Sequence, residues 1–208
     1  MNAAQFIPAF ATILGVSEKE MRTVDRALSD AGLREKSSGR SYPEVTRSEA
    51  VRLLLGYCGS TKLTEAAEAA REAELARVYQ GTVADLERFT GQVPFPGSED
   101  DDFCRASFRF TPSEAVGLNL VQAISRTCGW LASPDAPGKG WYVGLRISVG
   151  GMVSFQADDP ADDSNTGRRA EIYFTGALPY NGFPGVETIR VVRPHALRWI
   201  GANTQVAD

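Results

Sequence analysis

The sequence predicts an α+β protein, with an all-helical N-terminal segment ahead of an antiparallel sheet that carries one packed helix. Three features predict it. Apolar residues recur at helical spacing over roughly the first 80 residues. From Trp141 onward the period changes to two, in runs rich in Val, Ile, Phe and Tyr. Between these regions, residues 91–102 (GQVPFPGSEDDD) read as an acidic Pro/Gly linker. The expected division is a helical domain over 1–90, the linker over 91–102, and an α+β domain over 103–208 whose role is open.

Phe6, Phe10, Ile13 and Leu14 place a first, mostly buried helix over about Ala3 to Leu14, with Pro8 either bending it or marking a late start. This apolar start lacks a basic leader region and is too short to span a bilayer. A second helix is expected from Ser17 to Ala31, with Ser17 as its cap, Glu18 and Glu20 in its first turn and Gly32 ending it. Thr46 and Glu49 form a capping box for a third, running to Gly59 with Val51, Leu54, Leu55 and Cys58 on its apolar face and Arg47 and Arg52 pointing elsewhere. The Ala-rich, acid-rich stretch that follows, 61–80, reads as a helix by propensity, whose Leu63, Ala67, Ala70, Leu75 and Val78 fit packing either on the domain or on a second copy of the chain.

In the second half, Phe103–Phe110 alternate loosely as a strand would. Thr111-Pro112-Ser113-Glu114 is a helix start, giving a helix to Cys128 that packs on the sheet. Strands follow at 141–150, 152–157, 168–176 and 186–194, with Gly150-Gly151 suited to a hairpin. Pro194 opens a last helix holding Leu197, Trp199 and Ile200.

The formal charge of −4 argues against coating nucleic acid indiscriminately, but its distribution matters more. Residues 1–60 hold eight Lys and Arg against seven Asp and Glu, whereas 61–101 hold four against nine. The N-terminal segment can therefore present a local positive face. Its most informative stretch is Ala11–Arg40. In a helix-turn-helix the first helix needs a small residue at the crossing, the turn needs a residue tolerant of positive φ, and the second helix needs apolar residues facing back. Ala11, Gly15, Met21 and Val24 stand at the matching offsets.

On the second helix, Met21, Val24, Leu28 and Ala31 share one stripe; Lys19, Arg22 and Arg26 share the opposite one, with Thr23 beside them. Ser17, Lys19, Arg22, Thr23 and Arg26 are thus the candidate groove contacts. Arg34, Lys36 and Arg40, in the Leu33–Pro43 loop, are candidate backbone-phosphate contacts on a short wing. A solvated face and a plain connector are the alternative readings of these two basic stretches.

The run from Met21 to Gly59 resembles the N-terminal domain of small helix-turn-helix proteins encoded by phages and prophage-like elements. It carries Leu28, Ala31, Gly32 and Leu33, a Gly39-Arg40 loop, then Pro43, Val45 and Thr46 opening the apolar Leu53–Leu55 helix. The resemblance covers roughly the first 80 residues. It implies transcriptional control of phage-like genes, or recognition of phage DNA during packaging, and supplies no base-contacting residues.

No chemistry of catalysis is legible. The sequence has no G-x-S-x-G, H-E-x-x-H or P-loop, and Gly150-Gly151 lacks a phosphate-loop context. Asp158, Asp159, Asp162 and Asp163 lack calcium-loop spacing and read as a solvated loop between strands. His195, the only histidine, has no ligand or acid partner in register. Cys58, Cys104 and Cys128 are widely spaced, with no C-x-x-C and no His nearby in sequence, which fits reduced, mostly buried thiols better than a disulfide framework or a zinc site. Arg190, Arg193 and Arg198 cluster near the end and, with Arg168 and Arg169, fit a second phosphate-contacting surface, a protein-docking surface or, more commonly, a sheet edge.

The expected function is that of a sequence-specific, double-stranded-DNA-binding regulator, cytoplasmic and nucleoid-associated when bound, with no cofactor, metal, catalytic residue or membrane contact. Self-association as a dimer is expected, with RNA polymerase or another protein as a further partner. The alternatives are an adaptor or inhibitor acting through the C-terminal sheet, and a packaging recognition subunit.

Overall fold

The computed structural model describes residues 1–36, 43–78, 118–136, 142–148, 152–159, 168–175 and 189–205. It is α+β, as the change of period predicts. Helices α1 (Ala3–Leu14), α2 (Glu18–Asp30) and α3 (Arg47–Gly59) lead through a 3-10 turn at Leu63–Glu65 into α4 (Ala66–Leu75). Then come β1 (Arg77–Val78), α5 (Leu120–Leu131), β2 (Tyr142–Ser148), β3 (Met152–Asp159), β4 (Arg168–Thr175), β5 (Ile189–Val192) and α6 (Pro194–Asn203).

The expected caps form. Ser17 and Thr46 each close a reciprocal capping box, with Glu20 and Glu49 respectively. Helix α1 runs through Pro8 from an Asn2 cap, so the late start does not occur. Gly32, at φ +73°, carries the chain out of α2, and the Leu33 N–H returns to the Leu28 carbonyl at 2.9 Å.

Helix α3 is the hub. Leu53, Leu54, Leu55, Val51, Ala50, Gly56 and Cys58 are all buried, so its apolar surface is wider than the single face read from the sequence. It touches α2, α4, α5, α6 and β2. Its two arginines are tied inward. Arg52 forms a two-pronged pair with Glu74 at 2.6 and 3.2 Å, and Arg47 donates to the Gly201 carbonyl at 3.3 Å.

The sheet is antiparallel, in the order β1-β4-β3-β2-β5. Strands β2, β3 and β4 form a meander, and β5 returns to the free side of β2. Register pairs Leu145 with Phe155 and Val192, and Val153 with Ile147 and Phe174. Those residues occupy one face, because directly opposed residues in an antiparallel pair point the same way. Val143, Leu145, Ile147, Val153, Phe155, Phe174 and Val192 are accordingly buried.

Three expectations are corrected. The core does not divide between the two halves: one continuous cluster joins residues of α1, α2 and α3 to those of α5, α6 and the sheet. Trp199 of α6 stacks on Phe10 of α1 at 5.8 Å, and the Gln205 backbone exchanges hydrogen bonds with Val45 and Arg47. The physical reason is that the apolar surfaces of α1 and α3 are covered in part by α5, α6 and β2. Secondly, the helix over 61–80 stops at Leu75, which is 63% exposed; β1 then pairs with β4, and the buried side of α4 is made by Ala66 and Ala70. Thirdly, α5 begins at Leu120 under an Asn119–Gln122 capping box and runs past Gly129 to Leu131. Among the described residues α3 and α6 lie against β2, while α5 packs on α3, α4 and α6.

Asp158 and Asp159 belong to β3, in register with Arg169 and Arg168 of β4, and not to a loop. The linker over 91–102, the Phe103–Phe110 strand, the Thr111 helix start, Gly150-Gly151, Asp162, Asp163 and Cys104 lie outside the described residues.

Candidate nucleic-acid interface

The α1–α2 corner has the local geometry that its residues demand. Helix α1 ends at Gly15, whose φ of +69° a side chain with a Cβ adopts only under strain. The Gly15 and Val16 N–H groups bond back to Thr12 and Ala11 at 3.1 and 3.0 Å, so the turn closes within Gly15, Val16 and Ser17. Ala11, Met21, Val24 and Leu28 are buried, and Gly15 takes the positive φ that the turn requires.

The opposite stripe of α2 is open to solvent. Lys19, Arg22 and Arg26 are exposed, Ser17 is an exposed cap, and Thr23 is half-buried with its hydroxyl donating to the Lys19 carbonyl at 3.0 Å. Arg22 is held by Glu18 one turn earlier, at 2.6 Å. Both partners are about half exposed, so water screens the pair and Arg22 is free to exchange it for another anion.

The loop contacts divide differently. Arg34 is buried at 5% exposure and paired with Asp25, so it is a structural cation and not a phosphate contact. The left-handed Gly32 turns the chain back across α2, which puts residue 34 inside. The next residue is fixed too, since Glu49 accepts the Glu35 N–H at 2.8 Å as well as capping α3. Lys36 is exposed and pairs with an exposed Asp30 at 2.9 Å. Arg40 lies outside the described residues.

One juxtaposition is not legible from spacing. A cleft of about 500 Å³ opens beside the Gly15 turn, walled by α1, the C-terminal end of α3, β5 and the start of α6. It gathers Arg190, Arg193 and His195 around Tyr57. The Arg190 guanidinium lies 5.0 Å from the Tyr57 ring centre and donates to the Tyr57 carbonyl. Burial, then the nearby Glu20, pushes the Tyr57 phenol above its usual range, and Arg190 pulls it back. The alternation of β5, which puts Arg190 on the same side as the buried Val192, is the signal that sequence reading had available. Arg198 is elsewhere, donating to the Leu131 carbonyl at 3.1 Å to tie α6 to α5.

Cys58 also borders this cleft, but burial raises its thiol to about 12, so it stays protonated and is a poor nucleophile. Cys128 is equally buried and likewise raised to about 12. Both are free thiols. Among the described residues no group of His, Cys, Asp and Glu is placed to hold a metal ion, and no helix is long and apolar enough to cross a membrane. Compared with protein-family models, curated proteins and solved structures, the chain matches none of them.

Proposed function

We propose that the chain binds duplex DNA, with α2 lying in the major groove and Lys19, Arg22, Thr23 and Arg26 facing the bases and phosphates. The observation that carries this reading is the division of α2 into a buried stripe (Met21, Val24, Leu28) and an exposed basic one, directly after a glycine turn. A groove reader needs both: the apolar stripe fixes its angle and the basic stripe stays available. The transcriptional role follows from the phage-like resemblance, and regulation of such genes is the form of the function we propose. Arg34 drops out of the contact set, and Lys36 remains as a phosphate contact.

Selection of bound duplexes from a random pool tests the class and returns the site. The full chain is the right material, because the helical segment shares its core with α6 and the sheet. Recovery of a common motif, bound with an affinity that falls as salt rises, is the expected result. Binding that is absent at low salt overturns it.

Edge strand β5 favours a second contact. Ile189 and Val191 are 49% and 55% exposed on a strand whose outer side pairs with no described strand. This supports self-association, and sedimentation of the Val191→Lys variant against the parent chain tests it: loss of a dimer is expected, and an unchanged mass overturns it.

A further inference from the structure

The structure assigns the cleft beside the Gly15 turn to a small organic anion, a phosphate monoester carrying an apolar or aromatic frame. This inference does not depend on the DNA reading. Its volume, about 500 Å³, is that of a small-molecule site. The lining is of two kinds. Ile13 and Leu14 supply apolar wall, while Arg190, Arg193 and His195 supply donors, and no Asp or Glu stands among the described lining residues.

Arg190 is the anchor. Its guanidinium carries five N–H donors in a fixed plane, and its stacking on Tyr57 and its bond to the Tyr57 carbonyl hold that plane still. A planar fork held in place loses little freedom on gripping two oxygens of one anion. Arg193 and His195 are exposed beside it, without a described ion-pair partner, so their donors are available. Glu20, the carboxylate whose charge reaches Tyr57, is engaged by the Ser17 cap, where it accepts from the Ser17 N–H at 3.1 Å and the hydroxyl at 2.9 Å. The apolar wall selects an organic ester over inorganic phosphate, because only the former gains by covering the partly exposed Ile13 and Leu14.

Phenyl phosphate is the probe, titrated into the full-length protein and followed by amide chemical shifts. Expected is a saturable shift confined to Gly15, Val16, Arg193 and Ala196, with inorganic phosphate binding about tenfold more weakly or less. Arg193→Gln and His195→Gln, both at exposed positions, should each weaken phenyl phosphate severalfold without changing the unfolding midpoint. Arg190→Lys, which keeps the charge but not the fork, should weaken it about tenfold. Absence of a saturable shift in the parent chain overturns the assignment. So does a shift that survives all three substitutions. Movement of the same amides by a short duplex but not by phenyl phosphate also overturns it, since the cations would then serve the DNA backbone.

Discussion

The Arg34 guanidinium is buried against the Asp25 carboxylate, the two side chains being 3% and 22% exposed. An exposed loop cation in the sequence is thus a structural strut joining α2 to the segment after it. Breaking such a pair leaves a desolvated charge without compensation. Arg34→Ala should lower unfolding free energy by about 2–4 kcal/mol. Asp25→Asn should cost at least as much, because Arg34 is the more deeply buried partner. Urea denaturation measures both. Lys36→Ala, whose pair with Asp30 is exposed at both ends, should change stability by less than about 1 kcal/mol.

On the outer face of α2, Glu18 competes for Arg22 with any incoming phosphate. Arg26→Ala should weaken specific duplex binding by about 1–3 kcal/mol and relax sequence preference. Lys36→Ala should weaken all duplexes alike and flatten the salt dependence. Glu18→Gln should tighten binding to every duplex by a fewfold, since it removes a repelling charge and releases Arg22. Salt titrations by fluorescence anisotropy separate the three; tighter binding by Arg26→Ala, or looser binding by Glu18→Gln, contradicts the placement of α2.

Gly15 has nothing within 4 Å of where a Cβ would stand, so space is no obstacle there, but its φ is +69°. Gly15→Ala should therefore cost about 1–2 kcal/mol through the backbone alone. Gly15→Asn, which tolerates the left-handed region, should cost less. Thermal unfolding distinguishes them.

Gly201 poses the opposite problem. Its φ is ordinary, but a Cβ would run into the Cys128 carbonyl of α5, a backbone atom that cannot step aside. Gly201→Ala should destabilise by about 3 kcal/mol or more, as overpacking at a helix crossing does. Gly129→Ala meets the Arg47 guanidinium, the far end of a flexible side chain, and should cost less. The difference in urea midpoints between the two variants is the measurement.

Cys58 and Cys128 both have thiols raised from 9.0 to about 12 by burial. Between those values the unfolded chain loses protons that the native one keeps, so stability is complete below pH 9 and falls as pH rises from 9 toward 12. The Cys58→Ser, Cys128→Ser double variant should lose that part of the slope in pH-dependent urea titrations. In the parent chain, neither thiol should react with a maleimide at pH 7 before unfolding.

Much of the fold was legible because it is written in local chemistry. Capping boxes at Ser17/Glu20 and Thr46/Glu49, the glycines at 15 and 32, the strands after Trp141 and the helix at Pro194 each depend on residues within a few positions of one another. The exposed stripe of Lys19, Arg22 and Arg26 was legible for the same reason, since a helix of known start fixes which residues share a face. The Asn119 start of α5 is hard to read locally because Thr111-Pro112 gives a stronger helix-start signal eight residues earlier.

Spacing alone determined most element types, the glycine turn after α1 and the basic stripe, though not the strands at Arg77–Val78 and Asp158–Asp159. Only the tertiary structure decided that Arg34 is buried, that Arg47 and Arg198 brace α6, and that Arg190, Arg193 and His195 meet Tyr57 beside the corner. It also decided that the two halves share one core. The reason is physical: periodicity tells which residues seek burial, but which surface satisfies them depends on partners more than a hundred positions away. Phe10 and Trp199 stack, and no local pattern in either helix names the other.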